Sequence, residues 1–356
     1  MSHDPATAQR VREAVGRANG RDASALPVKR LAGHASMRSY WRVGEAPASQ
    51  VVMVMPPQAG PEEVTSGGPS LVDPFVDVQR YLAGLGVRVP AILAFEEASR
   101  LMVLEDLGDD MLETRLLAGD DRGALYAAAI DQLARLRAGA EARPAGCVAF
   151  TRAFEASLYR WELDHFREWL LEAWRGAALS PDERAELDGR FDAMAAALAA
   201  EPRGFTHRDY QSRNLMVLPG GQQAVIDFQD ALLGPRQYDL VALLRDSYVE
   251  LPADFIEAML RRYLARLEAE GGPRLEYAPF RATFDLLTVQ RKLKDAGRFV
   301  FIDRVRGNPG FLDSIPSSLQ YVREALARRP DLEPLQRLLA RHVPELAASY
   351  SAPTPR

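Results

Sequence analysis

The chain lacks most of what would mark a secreted, membrane-bound or nucleic-acid-binding protein. Its 356 residues include one cysteine, Cys147, so no internal disulfide can form. No CxxC pair or Cys/His cluster offers a structural zinc site, and a reducing compartment is expected. The opening MSHDPATAQRVREAV has no apolar signal core, and no later apolar run approaches the ~20 residues that span a bilayer. A soluble cytoplasmic protein without a membrane partner is expected. Positive charge is not in excess either: 44 Lys and Arg against 49 Asp and Glu leave a net charge of −5. That offers no basic field for a phosphodiester backbone, so nucleic acid is not an expected partner. Internal repeats and low-complexity tracts are also missing.

What is present is the composition of an ordinary globular protein, 47% hydrophobic and 26% charged, long enough to bury a full core. Residues 5–19 have helical spacing. Short apolar or alternating runs at 26–31, 39–43 and 50–55 read as strands of a small sheet. Residues 60–70 (GPEEVTSGGPS) read as a mobile loop, and 74–85 as a helix through Phe75, Val78, Tyr81, Leu82 and Leu85. Strands are expected at 91–95 and 100–104, the second running into Glu105 and Asp106. From 111 to 200 the pattern is helical, with Ser180-Pro181 as a cap signal. Short strands and loops return at 205–239, and helices resume from 240 to about 348. The expected architecture is α+β, a small sheet-bearing lobe followed by a larger, mostly helical lobe with one polar interruption.

That interruption carries the chemistry. Phe205-Thr-His-Arg-Asp-Tyr-Gln-Ser-Arg-Asn-Leu-Met-Val-Leu is followed, after the turn Pro219-Gly220-Gly221, by Ala224-Val-Ile-Asp-Phe-Gln-Asp. It places Asp209, Asn214 and Asp227 in otherwise apolar surroundings. If 215–218 and 224–226 pair as a hairpin, Asn214 enters one strand and Asp227 leaves the other, at the same end of the ribbon. Two hard oxygen ligands and a nearby carboxylate suit phosphoryl transfer from ATP, which needs an acceptor for the nucleophile's proton and oxygen ligands for Mg²⁺. A lone Asp in a loop is more often a cap or turn residue, and the spacing of the three together is what argues otherwise. His207 reads as structural, its ring bonded to nearby backbone.

HRDYQSRN and DFQD resemble the protein-kinase-like fold, whose catalytic loop has the form H-x-D with an Asn five residues later and a D-F-G-like motif after a hairpin. The resemblance implies a two-lobed kinase-like architecture, with residues 1–104 as the ATP-binding lobe and 105–356 as the helical lobe. It makes Asp209 the catalytic aspartate and Asn214 and Asp227 metal ligands. Gly234-Pro-Arg-Gln-Tyr-Asp-Leu is similar to a segment of aminoglycoside-phosphotransferase-like proteins whose Asp supports the catalytic loop from behind, which assigns that role to Asp239. Eleven residues lie between Asp227 and Asp239, too few for a long activation segment, so a small-molecule acceptor is expected and no obligate protein partner. In the first lobe the turn from Gly33 to Ser36 can offer backbone N–H groups to phosphates. The third strand, however, has Met53 and Met55 where such kinases carry a lysine. Arg38 is the candidate substitute. LMVLEDLGDD resembles the hinge between lobes, with adenine against backbone from Glu105 to Leu107.

The combination LAGHASMRSYWRV, LEDLGDD, HRDYQSRNLMVL, VIDFQDALLGPRQYDLVALLRDSY and QRKLKDAGRFVFIDRVRGNPGFLDSIP looks like the bacterial N-acetylmuramate/N-acetylglucosamine 1-kinases of cell-wall recycling. The likeness runs from about residue 31 to 321 and implies ATP-dependent phosphorylation of the anomeric hydroxyl of an amino sugar. His34 departs from the acidic residue many of that family carry before Ala35. Gln211 and Arg213 are candidate sugar contacts, Arg213 either meeting an anion of the substrate or pairing with a neighbouring carboxylate. Tyr159, Glu162, His165 and Trp169 have a spacing that serves either sugar contact or core packing. Two rival readings are a kinase of aminoglycosides or other small alcohols, and a non-catalytic nucleotide-binding protein.

Overall fold

The computed structural model describes residues 4–31, 38–55 and 73–350. The turn holding Gly33 and Ser36 and the loop 60–70 lie outside them. Helix α1, Pro5–Asn19, starts on the Asp4 side chain, which accepts from Ala6 N, and ends at Gly20 in the left-handed region, φ 63°. It covers one face of a five-stranded antiparallel sheet of order β1-β2-β3-β5-β4: Val28–Arg30, Ser39–Val43, Gln50–Val54, Leu101–Glu105 and Ile92–Glu96. Alternation along the strands sorts the side chains between the two faces. Val11, Ala14 and Val15 of α1 form one core with Trp41, Val43, Val52, Leu101 and Val103. The opposite face, with Met53, Met102 and Leu104, joins a second, larger core through α2, Pro74–Gly84. The strands expected from the sequence are all present, with ends that differ by at most two residues and 39–43 matching at both ends.

The rest is helical around two short antiparallel pairs. After α3, Leu112–Leu117, and α4, Arg122–Ala142, comes α5, Ala156–His165, which continues as a π-helical segment, Phe166–Trp174. The helical expectation for this stretch holds, with a wider turn in its second half. Bonds such as Arg175 N to Leu170 O widen the turn, and Phe166, Leu170 and Leu171 all stay buried. Helix α6, Pro181–Ala199, opens with a capping box of Ser180 and Glu183. Strands β6, Arg203–Thr206, and β9, Leu232–Pro235, pair with each other, as do β7, Leu215–Val217, and β8, Gln223–Val225. Helices α7, Tyr238–Leu244, α8, Ala253–Ala269, α9, Tyr277–Arg306, α10, Ile315–Ala327, and α11, Glu333–His342, complete the lobe. No helix of the described residues is long and apolar enough to cross a membrane.

Helix α9, 30 residues long, is the spine of this lobe and buries polar as well as apolar side chains, among them Arg281, Asp285, Gln290, Arg291 and Lys292. Its closest backbone approach is at Gly297, where a Cβ would lie 2.7 Å from the His165 carbonyl oxygen and 2.7 Å from Phe166 Cα. Backbone cannot move aside as a side chain can. Gly297→Ala is therefore expected to destabilise the fold by ~1–3 kcal/mol in urea denaturation. Gly189, exposed on α6 with nothing within 4 Å of a Cβ, is the control, and Gly189→Ala should stabilise by ~0.5–1 kcal/mol. Equal behaviour of the two variants would contradict the close approach.

Candidate active site

Strand β6 ends at Thr206, and the chain turns sharply through loop 207–214 before entering β7. Arg208 has φ 79°, a conformation that a long side chain adopts only when its surroundings hold it there. The surroundings are the buried carboxylate of Asp239 at the start of α7. Its Oδ2 accepts from His207 N at 2.8 Å and its Oδ1 from Arg208 N at 2.9 Å. A second buried carboxylate, Asp246, accepts from Ser212 N at 2.9 Å and Ser212 Oγ at 2.6 Å. Burial raises the pKa of both acids, and the hydrogen bonds they accept act in the opposite direction.

His207 lies inside the loop. Its Nε2 is 3.0 Å from Ile226 O, and its Nδ1 accepts from Asp209 N at 3.2 Å. An Nδ1 that accepts and an Nε2 facing a carbonyl define the neutral Nε2–H tautomer. Burial lowers the ring's pKa and keeps it neutral. The ring thus ties the loop to the end of β8 through backbone atoms. Asn214 closes the loop by donating from Nδ2 to Asp209 O at 2.8 Å, which leaves Oδ1 as the atom it can offer a cation. Ile226 N donates to Asn214 O at 3.0 Å, so the β7–β8 ribbon brings Asn214 and Asp227 to the same end. Asp227 has φ 64°.

Asp209 and Asp227 share one electrostatic setting and respond oppositely. Burial raises the pKa of Asp227, and the negative charge of Asp209 adds to the rise, while Gln229 Nε2, 3.0 Å from Asp227 Oδ1, and the charge of Arg38 counter it. Asp209 also pays a burial penalty, but Arg291, Lys294 and Arg208 outweigh it and hold the carboxyl below its ordinary value. Arg291 of α9 makes the contact: its Nη2 is 3.0 Å from Asp209 Oδ1 and its Nη1 donates to Arg208 O at 2.7 Å. One oxygen of Asp209 is therefore occupied and Oδ2 is the other. No cluster of three or more His, Cys, Asp or Glu able to hold a metal exists among the described residues. The donor set of Asn214 and Asp227 instead suits Mg²⁺, which binds through one or two protein oxygens, waters and substrate phosphates. The half-buried Asp227 carboxylate, destabilised as an anion, is a group that a cation would relieve.

The remaining sequence candidates fall into different places. Met53 and Met55 are buried in the core, so an apolar side chain fills the strand position where a lysine would stand. Glu105 pairs with Arg88 and accepts from Ala91 N at 3.1 Å, so its carboxylate is engaged within the sheet. Leu107 follows it, partly exposed, in a linker tied to the ribbon by Val217 N and Asp110 O at 2.7 Å. Gln211 is partly exposed and its N–H donates to Asp209 O at 2.9 Å. Of the two readings of Arg213, the pairing one holds. Its Nε and Nη2 engage Glu113 at 2.9–3.0 Å, and its guanidinium stacks 3.4 Å from the Tyr248 ring centroid. Its Nε–Nη2 edge is therefore taken by Glu113. Glu162 lies under the loop, accepting from Gln290 at 2.6 Å and 4.0 Å from Arg208, and Tyr159 is buried. The residues that sequence reasoning missed are Arg291, Lys294 and Asp246. For Arg291 and Lys294 the signal was the run Gln290-Arg-Lys-Leu-Lys-Asp inside an otherwise core-facing helix, where charge is rare unless paired.

The Phosphotransferase enzyme family matches residues 27–277. The N-acetylmuramate/N-acetylglucosamine kinase of Pseudomonas aeruginosa is 36% identical over 307 residues, covering 86% of this chain and 86% of its own. That of Neisseria meningitidis is 31% identical over 309 residues, covering 86% and 88%. Among solved structures, a choline kinase from Streptococcus pneumoniae superposes with TM-score 0.59 at 15% identity, covering 90% of this chain and 99% of its own. The GDP complex of aminoglycoside 2'-phosphotransferase-IIIa gives TM-score 0.59 at 16% identity, with 90% and 99% covered. At these identities the structural likeness is one of fold, a kinase-like α+β architecture of antiparallel-sheet lobe and helical lobe.

The brace at Asp239 makes a direct prediction. Asp239→Ala would strand two buried N–H groups, at ~1–3 kcal/mol each, and should lower the urea midpoint accordingly. Asp239→Asn, which retains one acceptor oxygen, should fall between. A full-stability alanine variant would remove Asp239 as the support of the loop.

Proposed function

The chain belongs to the phosphotransferase enzyme family and is a sugar kinase, and from that premise we propose that it transfers the γ-phosphoryl group of ATP to the anomeric C1 hydroxyl of N-acetylmuramate or N-acetylglucosamine. The observation that carries the proposal is the convergence of Asp209, Asn214 and Asp227 at one end of the β7–β8 ribbon, in a chain whose relatives are named for those two sugars. The product, an amino sugar 1-phosphate, suits salvage of cell-wall sugar in the cytoplasm, where ATP is available.

Asp209 orients the C1 hydroxyl through Oδ2, because Arg291 engages Oδ1. As the new O–P bond forms, the hydroxyl proton passes to Asp209, the bond from the γ-phosphorus to its bridging oxygen breaks, and ADP leaves. A carboxylate held below its ordinary pKa is a weak base. That is sufficient where the transition state is loose and the hydroxyl keeps its proton until late, so that positioning and charge neutralisation supply most of the acceleration. Asn214 and Asp227 would hold Mg²⁺, which supplies charge neutralisation on the phosphates. We assign Arg38, whose charge is felt at Asp227, to the phosphate side in place of the strand lysine, together with backbone from Gly33 to Ser36. Residues 1–104 then form the nucleotide lobe, with adenine against the linker at Glu105 to Leu107, and 105–356 the acceptor lobe. Polycationic antibiotics fit poorly, since Arg291 and Lys294 are the charges nearest in effect to Asp209.

Phosphorus NMR with Mg-ATP and, separately, N-acetylmuramate, N-acetylglucosamine and kanamycin tests the reading. An anomeric phosphate signal is expected with the sugars, and its absence with both would refute the acceptor. Asp209→Asn should abolish turnover while ATP binding persists. With Mg-ATP saturating, so that bound cation holds Asp227 ionised, the acid limb of kcat/KM for the sugar should lie below the ordinary aspartate range, since Asp209 must lose its proton to act and its cationic neighbours favour that loss. Arg291→Met removes one of those neighbours, so it should move the limb to higher pH as well as lowering kcat. An unmoved limb would detach Arg291 from Asp209.

A further inference from the structure

The cations around the site are divided between its two sides. The positive charge felt at Asp227, on the phosphate side, is Arg38, whereas those felt at Asp209 are Arg291, Lys294 and Arg208. Two of these three are committed. Arg291 holds Asp209 and the Arg208 carbonyl, and Arg208 lies over the Phe154 ring, 5.5 Å from its centroid. Lys294 differs. Its Nζ reaches Asp295 Oδ1 only at 3.4 Å, whereas Lys292 takes Asp295 Oδ2 at 2.7 Å, and the Lys294 side chain keeps 13% of its surface exposed against 3% for Lys292. It stays protonated because Tyr238, Asp295 and Glu162 offset its burial and the repulsion of Arg291.

Resting on the sugar-kinase reading, we propose that Lys294 reads the anionic substituent of the acceptor, the lactyl carboxylate that N-acetylmuramate has and N-acetylglucosamine lacks. Helical rise sets the scale. Lys294 stands three residues beyond Arg291, ~4.5 Å along the α9 axis, about the reach from a pyranose C1 to a substituent on the same ring. The aromatic group farther along, Phe301 with Trp169 at a centroid distance of 5.0 Å, begins ten residues beyond Arg291, ~15 Å along the axis, too far to meet a monosaccharide held at Asp209. Arg213, the sequence candidate for this task, is paired with Glu113. Lys294 thus combines, on the acceptor side, partial exposure with donors beyond the one that reaches Asp295.

The rival anion is the transferring phosphate, common to both sugars, and the measurement separates them. In the full chain, Lys294→Met should lower the ratio of kcat/KM for N-acetylmuramate over that for N-acetylglucosamine by ~10-fold or more, the worth of a charge-assisted hydrogen bond. Any loss the two sugars share, including one through Asp209, cancels in that ratio. Lys294→Arg should restore most of the ratio. The unmutated enzyme should show the same loss when the lactyl carboxylate is converted to its neutral amide, a comparison that needs no variant to fold. An unchanged ratio in Lys294→Met, or full activity on the lactyl amide, overturns the proposal and assigns the residue to the phosphate or the fold. If the unmutated enzyme phosphorylates neither sugar, it is the sugar-kinase reading that fails instead.

Discussion

The site depends on the hydrogen bonds by which the Asp239 carboxylate holds the backbone of His207 and Arg208. A loop that must turn from β6 into β7 within a few residues leaves N–H groups pointing into the protein, where no strand can satisfy them. A buried carboxylate is costly, but one that accepts two N–H donors at 2.8 and 2.9 Å recovers much of the penalty and fixes the loop's path. Asp246 repeats the arrangement at Ser212. Between them they hold the left-handed turn at Arg208 and so aim Asp209 outward, with the neutral His207 ring bridging the loop to the end of β8. Neither acid need meet a substrate. Their contribution is a rigid loop, which matters where transfer relies on position more than on a strong base.

The same economy explains why α9 carries so much charge into the core. Arg291, Lys292, Lys294 and Asp295 sit on one helix behind a carboxylate, and each finds an opposite charge or a carbonyl there. Replacing such groups by apolar side chains often does no harm to stability. What would be lost is the orientation of Asp209, whose Oδ1 is fixed by Arg291, and the field that keeps it ionised. Because those cations come from a helix and not from loop 207–214, the loop itself can be built from backbone bonds, and Arg213 is released to anchor α3 through Glu113.

Much of this was legible in the sequence. Period-two and period-3.6 patterns locate the sheet and the main helices to within a few residues, because burial on one face enforces them. The hairpin geometry follows from the turn at Pro219-Gly220-Gly221 and explains why Asn214 and Asp227 end up together. The π-helical segment was not legible: it arises where α5 packs on α9 at Gly297, a tertiary contact with no local signature. Nor was the partner of Arg213, since Glu113 lies 100 residues away and an arginine near an acidic loop residue fits either fate. Arg291 and Lys294 were in plain view as charges in an apolar helix, but only the fold shows that they face Asp209.

The missing strand lysine is the point where sequence and structure most needed reconciling. Met53 cannot be a poorly placed substitute for it, since the side chain is fully buried and packs in the core shared with α2 and the helical lobe. The strand position has therefore been given to the packing between lobes, and a cation for the phosphates must come from elsewhere. Arg38, one residue before β2 and with its charge felt at Asp227, is the residue proposed for that task. A guanidinium is always charged and can hold two phosphate oxygens at once, where an ammonium holds a single point. With Met53 in place of a lysine the inner face of the sheet is apolar, and Met53, Met102 and Leu104 join the larger core with α2 and the helical lobe.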